Sequence, residues 1–249
     1  MLRTSMWRAG NREADRGVIA SPNIWHWPEV YEEENRAQDP RGAVYAALRE
    51  SADWTASDVV DVGSGSGFHL PMFASDARTV TGIEPHPPLV AAARTRVRHL
   101  PGVTVAEGSA AAMPIPDASV DLVHARTAYF FGPGCGPGIL EAMRVLRPGG
   151  TLAVIDLDAT AHPYGTWMRA DLPHYDPASV ETFFEAQGFE LRRIDTLWEF
   201  PDRATLQRVL GIEFGPRIAA RALRETPGTT LTVRYRLHIR RRPAGLELG

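Results

Sequence analysis

Val59-Val60-Asp61-Val62-Gly63-Ser64-Gly65-Ser66-Gly67 is the stretch on which the reading of the chain turns. A short run rich in β-branched residues ends in an aspartate, then in glycines at alternate positions, giving D-x-G-x-G-x-G. Glycines there permit positive φ and let a ligand approach the backbone closely. In open α/β sheets ligands bind outside the carboxyl ends of the strands, which is where this loop falls. The bland alternative is a glycine-rich turn that holds nothing. The spacing separates the ligands. A dinucleotide fingerprint is G-x-G-x-x-G; counted from Gly63 its last glycine would be residue 68, which is Phe68. A phosphate-binding P-loop needs G-K-S/T, and the chain contains no lysine. Both facts argue against phosphate cradling.

Strand-like and helix-like runs alternate outward from this stretch. Strands are expected over 58–62, 79–83, 103–106, 120–124 and 151–157. Helices are expected over 70–73, 89–100 and 139–146, the last stopping at Pro148-Gly149-Gly150. That rhythm points to an α/β fold, a doubly wound and mainly parallel sheet covered by helices on both faces. Further on, 180–187 reads as a helix closed by Gly188, 189–200 as a strand, and 204–223 as a helix interrupted near Gly215-Pro216. In the last run Leu231, Val233, Tyr235, Leu237 and Ile239 alternate with Thr232, Arg234, Arg236, His238 and Arg240. One buried and one wet face fits an antiparallel last strand, completing seven. Upstream, Asp39-Pro40 reads as an N-cap followed by the first helical position. Residues 1–20 read as a loose arm, and 22–36 gather Ile24, Trp25, Trp27, Val30 and Tyr31. The expected organisation is an arm and lid segment over 1–37 and one domain over 38–243.

Composition narrows the function classes. The 249 residues carry 27 basic and 30 acidic side chains, a net charge of −3, which argues against a nucleic-acid binder. Their 44% hydrophobic content suits a soluble globular chain with a sizeable core. No apolar run approaches the roughly 20 residues of a membrane span, and the N-terminus has no signal-like core, so a cytoplasmic protein is expected. Every basic residue is arginine, and Ala, Gly and Pro abound, as in a GC-rich bacterial coding sequence. Cys135 is the single cysteine, so no internal disulfide forms. The oligomeric state is not legible.

Two further strand ends carry acids on the same side of the sheet. Gly82-Ile83-Glu84-Pro85 closes the second strand, with Glu84 placed 17 residues after Gly67. A carboxylate there suits a ribose diol, because it accepts two hydroxyl hydrogen bonds. Glu107-Gly108-Ser109-Ala110 closes the third and leads to Met113-Pro114-Ile115-Pro116-Asp117 and Asp121-Leu122-Val123. The ordered set D-x-G-x-G-x-G, G-I-E-P, M-P-I-P-D with V-D-L-V, and V-L-R-P-G-G resembles the class I S-adenosylmethionine-dependent methyltransferases, and within them the methyltransferase type 11 group. The resemblance covers about residues 56–158.

The resemblance implies a Rossmann-like methyltransferase fold, S-adenosylmethionine as cofactor and S-adenosylhomocysteine as product. On this sequence Asp61 would hold the cofactor's amino end, and Gly63, Ser64, Gly65 and Gly67 would form the loop under its methionine and ribose. Glu84 would bind the ribose hydroxyls, Pro85 would pack on the adenine, and Ser109 and Ala110 would meet the adenine edge. The family commonly has Asp where this chain has Ser109, so the contact to the adenine amino group is in question. His124, Ala125 and Arg126 would border the sulfonium, Arg126 reaching the cofactor carboxylate or the substrate.

The acceptor is expected to be a small molecule, with no nucleic-acid or membrane partner. Candidate contacts are Trp25, His26, Trp27 and Tyr31 in the lid segment and Tyr129, Phe130 and Phe131 after the fourth strand. Asp156, Asp158, His162, Tyr164 and Trp167 follow on or after the fifth. The aromatic residues equally fit plain core packing. His162 is the candidate base, since some methylations need a group to take a proton. Asp156, Asp158 and His162 match no strong metal-site spacing, and no metal is expected. A catalytic Cys135 would need a depressed pKa, and its setting reads as an ordinary loop. Two rival readings keep the fold: a cofactor-dependent cyclisation or decarboxylation, and a non-catalytic binding module.

Overall fold

The computed structural model describes residues 18, 21–129 and 132–245. Apart from residue 18, the loose arm lies outside the described residues, as does the Phe130–Phe131 pair. In chain order the elements are α1 (Pro22–His26), α2 (Pro28–Ala37), α3 (Ala43–Ser51), β1 (Asp58–Val62), α4 (Leu70–Ala74), β2 (Thr79–Glu84), α5 (Pro87–Val97), β3 (Val103–Glu107) and β4 (Val120–Arg126). A 3₁₀ turn (Gly132–Cys135) leads to α6 (Gly136–Val145) and β5 (Leu146–Leu157). Then come α7 (Tyr164–Asp171), α8 (Pro177–Ala186), β6 (Glu190–Glu199), α9 (Arg203–Glu213), α10 (Pro216–Glu225) and β7 (Thr230–Arg241).

The sheet has seven strands in the order β3-β2-β1-β4-β5-β7-β6. Strands β1 to β5 pair in parallel and the β7–β6 end is antiparallel, as expected, but the expected wet face of β7 is not wet throughout, because Arg236 and His238 are buried. Register sets one row of side chains across the middle: Asp61 stands opposite Gly82 on β2 and His124 on β4, and His124 stands opposite Ala153 on β5. Consecutive residues in a strand face opposite sides, so one register step decides which polar groups meet.

The chain folds as two compact units. One comprises Ala47–Asp156, Val180–Arg192 and the segment from Arg236 on. Its core includes Val60, Ile83, Val123 and Val154, with Phe73 edge-on to Trp54 at 5.2 Å between centroids. Helix α5 begins on Pro87-Pro88, which suits a first turn whose N–H groups would have no intrahelical partner, and buries Leu89, Val90, Ala93 and Val97. The other unit comprises the segment up to Ala46, Leu157–Ser179 and Arg193–Tyr235. It is built around Tyr164, whose ring lies 5.2 Å from Trp198 and 5.1 Å from Phe214. The Tyr164 hydroxyl donates to Glu213, and the Trp198 indole N–H donates to Tyr235 Oη at 2.9 Å.

Two local expectations are corrected. Pro148-Gly149-Gly150 does not merely stop a helix. Helix α6 ends at Val145 and β5 begins at Leu146. The glycines are paired: Gly149 N–H donates to Arg242 O at 2.9 Å, and Arg242 N–H to Gly150 O at 2.8 Å. The irregularity of that stretch is taken up by Gly149 at φ +82° and by a register shift between Val120 and Leu122. Upstream, Pro40 is not the first helical position. Residues Asp39 to Gly42 close a turn, Gly42 N–H donating to Asp39 O at 2.9 Å, and α3 starts at Ala43. Asp39 still caps, because its carboxylate accepts from Ala43 N–H at 2.9 Å and Val44 N–H at 2.8 Å. The break near Gly215-Pro216 and the closure of α8 at Gly188 (φ +78°) are as expected.

Candidate functional site

The loop after β1 is fastened to β2. Gly63 N–H and Ser64 N–H both donate to Ile83 O, at 2.8 and 3.0 Å. Gly63 sits at φ +70°, and a Cβ there would lie 3.0 Å from the Ala128 Cβ, so conformation and space both require glycine. Gly65 and Gly67 also take positive φ, at 55° and 77°. Gly82, the register partner of Asp61, has a different reason. A Cβ there would come within 2.8 Å of Ser64 Oγ, so its missing side chain makes the room that Ser64 occupies.

Three side chains define what this loop offers. Glu84 is 4% exposed; its Oε2 accepts from Gly65 N–H at 3.0 Å and its Oε1 from His86 N–H at 2.9 Å. Burial raises its pKa, and those two N–H donors oppose the rise. Each oxygen keeps a lone pair for another donor. Asp61 is buried, with Oδ1 2.7 Å from His124 Nδ1 and Oδ2 without a hydrogen-bond partner among the described residues. Ser64 Oγ is likewise buried without a partner among them. Buried polar atoms are ordinarily satisfied, so these two, beside a glycine loop, are candidates to meet a ligand's polar groups or water. An ammonium at Asp61 Oδ2 and a diol at Glu84 fit this set, and the chain fits S-adenosylmethionine on those terms.

The remaining predicted residues of this unit flank the same strand ends. Ser109 and Ala112 close a tight turn after β3, their backbones exchanging bonds of 3.3 and 3.1 Å. Pro85 and Ala110 are half-buried, and Arg126 is buried. Burial, and after it the Arg126 guanidinium, hold His69 well below the usual imidazole range. Tyr129 is buried, its Oη packing on Gly138 with no hydrogen-bond partner among the described residues, and burial pushes its pKa up. Cys135 is half-buried and its thiol is pushed up to about 12 by burial and by Asp156. Asp156, near the end of β5, is 0% exposed, and neither oxygen has a hydrogen-bond partner among the described residues. Burial drives its carboxyl up to about 7, with Arg236 pulling the other way.

In the other unit, Trp25 on α1 and Tyr31 on α2 are half-buried and Trp27 is 38% exposed. His162 is exposed before α7, with Nδ1 3.4 Å from Thr166 Oγ1. Tyr164 and Trp167 are core residues there. Asp158 is used structurally: its Oδ1 accepts from Thr160 N–H at 2.8 Å, and its Oδ2 from Arg193 Nε at 3.2 Å.

Sequence reasoning missed the Asp61–His124 pair and the isolation of Asp156. The first was recoverable, since two parallel strands ending in V-D-V and V-H-A can be aligned so that Asp and His face each other. The second was not, because nothing in the sequence says that a strand-end carboxyl lacks donors.

Comparison with known proteins relates part of the chain to methyltransferases. Residues 60–154 match the family described as "Methyltransferase domain". Over 146 residues the chain is 32% identical to a "Probable S-adenosylmethionine-dependent methyltransferase" of Mycolicibacterium smegmatis, covering 57% of this chain and 55% of that one. Over 185 residues it is 31% identical to 2-methyl-6-phytyl-1,4-hydroquinone methyltransferase 2, chloroplastic, of Oryza sativa subsp. japonica, covering 71% and 49%. The chain thus spans about half the length of these curated relatives. In fold it is similar to the YcgJ protein of Bacillus subtilis, with a TM-score of 0.59 at 16% identity, covering 80% of this chain and 98% of that one.

Proposed function

We propose that this chain is a class I S-adenosylmethionine-dependent methyltransferase and that it transfers the methyl group to a small-molecule acceptor. The observation that carries the reading is the oxygen set at the ends of β1 and β2. Asp61 Oδ2 is buried and unpartnered among the described residues, and Glu84 is fixed by two backbone N–H groups with lone pairs to spare. When bound, S-adenosylmethionine supplies a methyl group already activated on its sulfonium, so the protein's work is chiefly positioning.

That work divides among the residues named above. Asp61 takes the cofactor's ammonium and Glu84 its ribose hydroxyls. Gly63, Ser64, Gly65 and Gly67 keep the backbone low beneath it. Pro85, Ser109 and Ala110 border the adenine, and Arg126 meets the carboxylate. Tyr129, buried after β4, is the proposed contact for the acceptor. Where the acceptor gives up a proton, Asp156 is the proposed recipient, because a carboxyl titrating near 7 accepts and releases protons at neutral pH. A hydroquinone is the first acceptor class to try, since the relative from Oryza sativa bears a hydroquinone methyltransferase name.

Calorimetric titration with S-adenosylmethionine and, separately, S-adenosylhomocysteine tests the reading. Micromolar binding of both is expected, followed by S-adenosylhomocysteine formation in the presence of an acceptor. Binding of neither overturns it. Binding with product formation that leaves the methyl group on the sulfonium would favour a non-methylating reaction.

A further inference from the structure

His124 is completely buried, with a ring edge-on to Phe73 at 5.0 Å and to His69 at 6.5 Å between centroids. Its Nδ1 lies 2.7 Å from Asp61 Oδ1. A carboxylate only accepts, so a contact that short requires the proton on Nδ1. The strand register leaves Asp61 no alternative partner alongside it. On the β2 side its neighbour is Gly82, which has no side chain, and on the β4 side it is His124. One carboxylate oxygen is therefore committed, and the other has no partner among the described residues.

We propose that His124 is a positioning residue for the amino-acid end of the cofactor. By holding Asp61 Oδ1 it fixes the plane of the carboxylate and leaves Oδ2 as the oxygen presented to the ammonium. This rests on the placement of that ammonium at Asp61 proposed above. The role is confined to one end of the ligand: Glu84, on β2, is held by Gly65 and His86 and owes nothing to His124.

The two ends can be separated with two probes, S-adenosylhomocysteine and 5′-methylthioadenosine, which has the same adenine, ribose and thioether but no amino-acid end. His124→Phe keeps a ring among aromatic neighbours and removes the donor. His124→Asn keeps a side-chain N–H near the place of Nδ1. For His124→Phe the affinity for S-adenosylhomocysteine should fall roughly 10- to 100-fold, the worth of one hydrogen bond to a charged group. Affinity for 5′-methylthioadenosine should stay within about twofold, and His124→Asn should recover most of the loss. Equal weakening of both probes, or of neither, overturns the proposal, because a merely structural histidine would not discriminate between them. If the parent protein binds neither probe, the cofactor placement itself fails and this inference falls with it. Should His124→Phe not fold, nitrogen-15 NMR of the histidine-labelled parent decides. A protonated Nδ1 whose signal moves with S-adenosylhomocysteine but not with 5′-methylthioadenosine supports the proposal. A proton on Nε2 alone overturns it.

Discussion

Glu84 and Asp156 are both buried carboxyls at strand ends, and their surroundings treat them oppositely. Glu84 has two backbone donors that offset part of its desolvation. Charge-assisted hydrogen bonds contribute about 1.5–3 kcal/mol each, so losing the contacts to a ribose proposed for it should matter. Glu84→Ala is expected to weaken S-adenosylhomocysteine binding roughly 30- to 150-fold, about 2–3 kcal/mol, as read by calorimetry. Unchanged affinity would mean that the ribose lies elsewhere. Asp156 has no hydrogen bond from any described residue, and burial lifts it to about 7 despite Arg236. Its ordinary value in an unfolded chain is about 3.9. The folded state therefore binds this proton more tightly, and the stability it confers is full below about pH 4 and lost as pH rises through about 7. Asp156→Asn removes the titration. Its effect on stability should be more favourable at pH 8 than at pH 5, by on the order of 2 kcal/mol in denaturant unfolding. An equal effect at the two pH values would show that Asp156 titrates normally.

At the scale of elements, short strands end on the residues proposed to form the site, and caps decide where helices begin. Helix α3 depends on Asp39, which accepts from two backbone N–H groups and from Thr196 Oγ1 at 2.7 Å. Losing an N-cap typically costs about 1 kcal/mol and up to about 2. Asp39→Ala should cost at least the upper figure, since three donors lose their acceptor, while Asp39→Asn should cost less. The urea midpoint of unfolding measures this, and a change under about 0.5 kcal/mol would show that the turn, not the carboxylate, starts the helix. The sequence made the acidic cap visible but not its distance from the helix, because Asp39-Pro40 reads the same whether the helix begins at 40 or after a turn closed by Gly42. Pro148-Gly149-Gly150 misled for a related reason. Such residues punctuate structure when considered locally, yet here their backbone groups are claimed by Arg242, far along the chain.

At the scale of the whole molecule, legibility follows how local each determinant is. The loop from Gly63 to Gly67 and the acid at Glu84 are set by φ angles and strand ends, which leave their mark in neighbouring residues. The Asp61–His124 bond joins residues 63 positions apart and depends on register. The burial of Asp156 depends on everything packed around it. Acceptor choice is less local still, for function lives in sites grafted on folds, and the family match over 60–154 covers the strands where the cofactor is proposed to bind. Net charge bears on that choice: a chain at −3 carries no net basic excess to match a phosphate backbone. Methyl-labelled S-adenosylmethionine, offered with small hydroquinones and other metabolites, with total tRNA, or with total protein, should therefore leave label only in the organic-extractable small-molecule fraction. Label that partitions with tRNA or with protein would reject the small-molecule acceptor while leaving the cofactor site intact. Label that stays on the sulfonium while an acceptor is turned over would instead assign the site an electrostatic role.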